Sequence, residues 1–228
     1  MHYLRMYWWA EDPRPPSMWQ RFSAKLPDWG EHLLLTLLAA AIVLLPNIWL
    51  TRSIEQALTP ETCENPQGLQ RMDTAQMLAT ASSVRVPEFV KVAGQPRLFM
   101  YPAGNAIDGD TGTAWSEGVE GLGHDEYLEL AFREPTTPKM LCILNGFALS
   151  ASLYERNGRA RGLEVTADRG SQSVVLADIR PDSGAGFQTV NLQLGKTDSL
   201  RLTVTSTYAG QGQDRFPDTL ISEIELWH

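Results

Sequence analysis

YLELAF at residues 127–132, MLCILNGFAL at 140–149 and TLISEIELW at 219–227 decide the fold class. In the first, apolar and polar residues alternate, which places Leu128 and Leu130 together on one face of a strand with a single buried side. The second is an unbroken apolar run, the pattern of a strand covered on both faces. Around them GLEVTAD (162–168), SVVLADI (173–179), FQTVNLQL (187–194) and SLRLTVTSTY (199–208) repeat the texture between clusters of Gly, Asp, Ser and Pro. No apolar period of helical length intervenes. Strands spaced this way predict an all-β sandwich or jelly roll over residues 76–228.

Upstream the texture changes. His32 to Leu50 reads HLLLTLLAAAIVLLPNIWL, with no acidic or basic residue beyond His32. A helix of ~20 residues, rising ~1.5 Å each, crosses a hydrocarbon core of ~30 Å, so this stretch predicts one transmembrane α-helix. Pro46 falls near its end, where a lost backbone donor does least harm. A cleaved signal peptide would start closer to the N-terminus and end at a small-residue site, and neither holds here. Residues 1–31 form a tail with Trp8, Trp9, Trp19 and Trp29, which with Trp49 read as membrane-interface or partner anchors. Residues 51–75 are polar and read as a stalk or linker.

Arg5, Arg14, Arg21 and Lys25 precede the span, whereas Thr51 to Gln70 carries only Arg52. Basic residues resist translocation, so the tail is expected in the cytoplasm and the β domain in the periplasm or extracellular space. The tail's four bases are balanced by Glu11, Asp12, Asp28 and Glu31, which leaves the formal charge of -8 to the rest of the chain. An acidic outer domain argues against nucleic acid as a partner. Cys63 and Cys142 can pair in an oxidising compartment, but Cys142 within MLCIL reads first as a buried free thiol.

Catalytic groupings are thin. His124 beside Asp125 reads as a solvated loop pair, and no nucleophile motif, phosphate-cradling glycine loop or CxxC is present in the sequence. The chain is therefore expected not to be an enzyme. In NAIDGDTGTAW (105–115), Asp108, Gly109, Asp110 and Gly112 make a tight turn rich in oxygen donors, and Trp115 follows as an apolar plug. Such a turn can offer oxygens to a hard cation, or its carboxylates can simply cap the turn's own amides.

ATASSVRV (79–86), YPAGNAIDGDTGTAWSEGVEGLGHDEYLELAF (101–132), ILNGFAL (143–149), LYERNGRARGLEV (153–165) and DTLISEIELW (218–227) together resemble the discoidin or coagulation-factor C-type β-sandwich. The match is closest to the subgroup labelled NADase-type glycan-binding domains. That label refers to an enzyme carried alongside the module in other proteins, and nothing in this sequence supplies it. The resemblance implies a structural calcium site at Asp108, Asp110, Thr113 and Glu223. It also makes LYERNGRARGLEV a signature of the fold, with Arg159 as an ion-pair partner, while Tyr154, Asn157 and Arg159 are the residue types that contact sugar or a partner.

Two functions follow as expectations. One is an accessory or structural subunit of a larger membrane-protein complex, held in the bilayer by the helix and docked by its aromatic tail. The tail segment YWWAEDPRP resembles the N-termini of bacterial light-harvesting polypeptides and implies a pigment–protein complex, although His32 at the membrane edge also suits interfacial hydrogen bonding. The alternative is a membrane-anchored, lectin-like glycan-binding module at the cell envelope.

Overall fold

The computed structural model describes residues 60–179 and 186–228, and Glu61–His228 form one compact unit. The expected transmembrane segment 32–50, the tail 1–31 and the anchors Trp8, Trp9, Trp19, Trp29 and Trp49 lie outside the described residues. Among the described residues no helix is long and apolar enough to cross a membrane.

The strands are β1 (Met77–Ala81), β2 (Glu88–Val92), β3 (Gln95–Phe99), β4 (Trp115–Ser116), β5 (Tyr127–Thr136), β6 (Met140–Asn145), β7 (Gly158–Ala167), β8 (Gly170–Val175), β9 (Gln188–Asn191), β10 (Thr197–Tyr208) and β11 (Thr219–Trp227). The main sheet runs β1-β5-β10-β7-β11-β6-β9, with β4 paired to β11 and β8 to β7. Its strands pair antiparallel except at one place: β7 and β11 run parallel over Thr219↔Gly158 and Leu220↔Arg159. At that short seam the sheet divides into two layers, β1-β5-β10-β7 and β11-β6-β9. Leu128, Leu130, Leu163, Val165, Leu200 and Leu202 of the first layer pack in one core with Leu141, Ile143, Val190, Ile224 and Leu226 of the second. This is the discoidin-like β-sandwich, and burying those inner faces is its main driving force.

The local readings explain the elements. Tyr127 to Leu130 alternates, with Leu128 and Leu130 buried, and all six residues of β6 are buried, as an uninterrupted apolar run requires. One short helix, α1 (Ala151–Arg156), stands in a stretch without helical periodicity. It is capped by Ser150, whose hydroxyl accepts the Leu153 N–H at 3.2 Å, and it is held by the burial of Leu153 and Tyr154. Six residues are too few for a helical period to register.

Two expectations change at the start of the domain. Residues 61–75, read as stalk, lie against the sandwich: Gln70 and His228 exchange backbone hydrogen bonds at 3.0 Å, and the Met72 N–H donates to Leu226 O at 2.8 Å. Arg71 adds an ion pair to Glu225 at 2.6 Å. Cys142 is not a free thiol, because it is bonded to Cys63. The reason is register: Thr189 of β9 lies opposite Cys142, and its hydroxyl accepts the Cys63 N–H at 3.0 Å, so the two Cα atoms stand 5.7 Å apart.

Candidate functional site

Beside the middle of β11, a 3-10 turn at Ala103–Ile107 leads into Asp108. Asp108 Oδ1 accepts the Asp110 N–H at 2.8 Å, and Asp110 Oδ1 accepts the Gly112 N–H at 2.8 Å, so both carboxylates cap their own turn. Gly109 has φ +79°, a conformation glycine takes without a Cβ clash, and its N–H donates to Glu223 Oε2 at 2.9 Å. The turn is thereby fastened to β11. Glu223 is buried, and burial together with the charge of Asp108 pushes its pKa up to about 7 despite the Gly109 hydrogen bond.

The four residues expected to bind a metal thus lie in one neighbourhood. Thr113 is its hub. Its hydroxyl has one proton, yet it stands 2.9 Å from Asp108 Oδ2, 3.1 Å from Asp108 Oδ1, 2.9 Å from Asp110 O and 3.4 Å from Asn105 O. One donor cannot satisfy that many acceptors, and a convergence of oxygens short of protons is the donor chemistry a hard cation needs. Asp110 offers its carbonyl there, while its carboxylate is turned to Gly112. Among the described residues no three His, Cys, Asp or Glu side chains gather as a metal cluster. The set here is instead two carboxylates, a hydroxyl and backbone carbonyls, a hard-oxygen composition that fits calcium and no softer metal.

Tyr154, Asn157 and Arg159, expected to contact glycan or partner, face the interior, and this corrects that expectation. Arg159 is 2% exposed. Its Nε and Nη2 reach Asp178 at 2.7 and 3.1 Å, and its Nη1 donates to Tyr154 O and Asn157 O at 2.9 and 2.8 Å. The guanidinium lies over the Tyr154 ring at 4.8 Å, and Asn157 Nδ2 donates to Leu153 O at 2.7 Å. Gly146 allows this packing, since a Cβ there would stand 2.8 Å from both side chains. Arg159 is thus the ion-pair partner of Asp178. His124 and Asp125 pair at 3.0 Å on the surface, both exposed.

Residues 87–100 add two strands beyond those expected from the sequence. They form a β2–β3 hairpin, joined by Ala93 and Gly94, both at positive φ, as a two-residue hairpin turn demands. Register divides the hairpin into faces. Val90 and Phe99 turn inward onto Tyr101, Phe147, Leu153 and Leu220, with Phe99 and Phe147 edge-to-face at 5.5 Å. Glu88 is held by Arg85 at 2.9 Å and by the Tyr101 hydroxyl at 3.0 Å, and Arg85 also contacts Asp218. Burial and Glu88 raise the Tyr101 pKa well above its usual value, which keeps that hydroxyl a donor.

Among the described residues, nothing covers the other face. Phe89 lies opposite Leu98, and they are 74% and 51% exposed, with Met100 next to them at 62%. Lys91 follows Phe89 on the same face. The signal was legible as EFVKV and QPRLF, two five-residue runs around Ala-Gly. Pro96 and the absence of an Asn-Gly or Asp-Gly pair weaken it.

A family 32 carbohydrate-binding module from C. perfringens NanJ, solved in complex with galactose, is 18% identical over 70% of this chain and 99% of that one, with a TM-score of 0.45. An F5/8 type C domain from Bacteroides fragilis is 15% identical over 70% of this chain and 96% of that one, at 0.48. The arabinofuranosyltransferase AftD from Mycobacteria is 20% identical over 69% of this chain but 10% of its own length, at 0.44. No curated protein matches the chain. The family described as NAD glycohydrolase translocation F5/8 type C domain matches residues 90–227, a stretch that takes in the turn, the buried Arg159 segment and β11. Spanning more than half of the sequence, that match shows that the chain belongs to the NAD glycohydrolase translocation F5/8 type C domain family.

Proposed function

We propose that this chain is a non-enzymatic, membrane-anchored module whose domain binds glycan through the bare face of the β2–β3 hairpin. The observation that carries this reading is Phe89: a ring 74% exposed on a hairpin whose opposite face is fixed in a small aromatic core. A flat apolar ring held in place offers the apolar face of a sugar a stacking surface at little entropic cost. The Cys63–Cys142 disulfide supports a periplasmic or extracellular location, where such bonds persist. Docking onto a larger membrane complex rests on residues 1–31, which lie outside the described residues, and nothing in the domain adds to it.

The full-length protein in detergent is expected to bind discrete structures on a glycan array. Phe89→Ala is expected to reduce that binding at least tenfold, the scale of losing one stacked aromatic contact, with an unchanged melting temperature. Equal binding by the variant would remove the hairpin from the site, and an array without any signal would remove glycan binding itself.

A structural calcium ion belongs to the same proposal, held by Asp108, Thr113 and Glu223 with the carbonyls of Asn105 and Asp110. When bound it would neutralise the crowded oxygens and cross-link the turn to β11. At ~100 times its Kd such a ligand adds about 2.7 kcal/mol to folding stability, or roughly 5–10 °C in melting temperature for a domain of this size. Melts in millimolar calcium and in chelator should differ by that amount, and Asp108→Ala should abolish the difference. Superimposable curves for the unaltered protein would eliminate the metal.

A further inference from the structure

We infer that the hairpin selects a saccharide carrying a carboxylate, of the uronic acid class, with Lys91 as the residue that reads its charge; this rests on the glycan-binding reading above. The chain as a whole is acidic, with a formal charge of -8, so its general field repels anions. The hairpin departs from that field. Its charged residues are Glu88, Lys91 and Arg97, and Glu88 is engaged by Arg85 and Tyr101 at the base. Lys91 and Arg97 are both exposed.

Register assigns the two cations different places. Arg97 lies opposite Val90 on the inner side and stacks over Phe99 at 5.1 Å. Lys91 lies opposite Pro96, on the face that carries Phe89 and Leu98. Residues two apart on a strand are separated by about 6.6 Å on one face. A sugar ring stacked on Phe89 therefore brings a carboxylate on its rim within reach of the flexible Lys91 ammonium. The apolar row of Phe89, Leu98 and Met100 holds the ring, and Lys91 contributes the charge selection.

An anionic bilayer would complement the same charge, and the vesicle arm of the test distinguishes it from a saccharide.

The test uses full-length protein in detergent at low ionic strength, with oligogalacturonate, its methyl ester and a neutral galactose oligosaccharide as probes, and anionic phosphatidylglycerol vesicles alongside. The free acid is expected to bind about fivefold more tightly than the methyl ester, the upper range for an exposed ion pair, and added salt should erase the difference. Lys91→Gln should equalise acid and ester. Equal affinities for acid and ester in the unaltered protein would overturn the charge selection and leave glycan binding intact. If no sugar bound and vesicles bound in a Phe89-dependent manner, both readings would fail and lipid would replace them.

Discussion

Cys63→Ser is expected to lower the melting temperature of the domain by about 10 °C. The bond joins residues separated by 79 positions, and closing a loop of that length in the unfolded chain is worth about 4 kcal/mol in the chain-entropy account. For a domain of this size each kcal/mol moves the midpoint by about 2–4 °C. Cys63 is the better position to change, because it is partly exposed, whereas a hydroxyl in place of the fully buried Cys142 would add a desolvation cost of its own. The bond also ties residues 61–72 across β9, β6 and β11, so its loss should increase amide exchange at Gln70 and Met72 before the core opens. Calorimetry with and without reductant reads the first effect. A midpoint insensitive to reductant, with both thiols free to alkylation in the native protein, would refute the bond.

Arg159→Ala should cost about 3–5 kcal/mol, the range for breaking a buried pair by removing one partner. The loss does not come from the Asp178 interaction alone, since that carboxylate is about one-third exposed and can be rehydrated. The larger share arises because Tyr154 O and Asn157 O lose the Nη1 that satisfies them in a buried place, and because the Tyr154 ring loses the plane stacked on it. Lysine keeps the charge but not the fork, so Arg159→Lys should retain less than half of the stability difference. Urea denaturation measures both variants. A cost below about 1 kcal/mol for the alanine would mean that α1 and the start of β7 do not depend on this residue.

The fold was legible where one residue's neighbours in sequence are also its neighbours in energy. Alternation in YLELAF and the unbroken run in MLCILN report burial directly, because a strand's side chains reach the core with a period of two. The DGDTGT turn was legible for the same reason: its carboxylates cap amides two residues away. The contact residues were not. Tyr, Asn and Arg in a polar segment look like a ligand surface, yet here the segment is drawn inward by Gly146, Asp178 and the carbonyls of α1, none of which the local sequence announces.

By itself, then, the sequence determined the all-β class, the positions of β5 to β11, the oxygen-rich turn and the family resemblance, all set by short-range pattern and local hydrogen bonding. Tertiary structure alone decided that Cys142 meets Cys63, that Glu223 closes on Gly109 and that Arg159 is buried. It alone left Phe89 uncovered beside Lys91. The first three depend on contacts between segments far apart in the chain, and the last on the β2–β3 register, where a shift of one residue would send Phe89 and Lys91 to the opposite face.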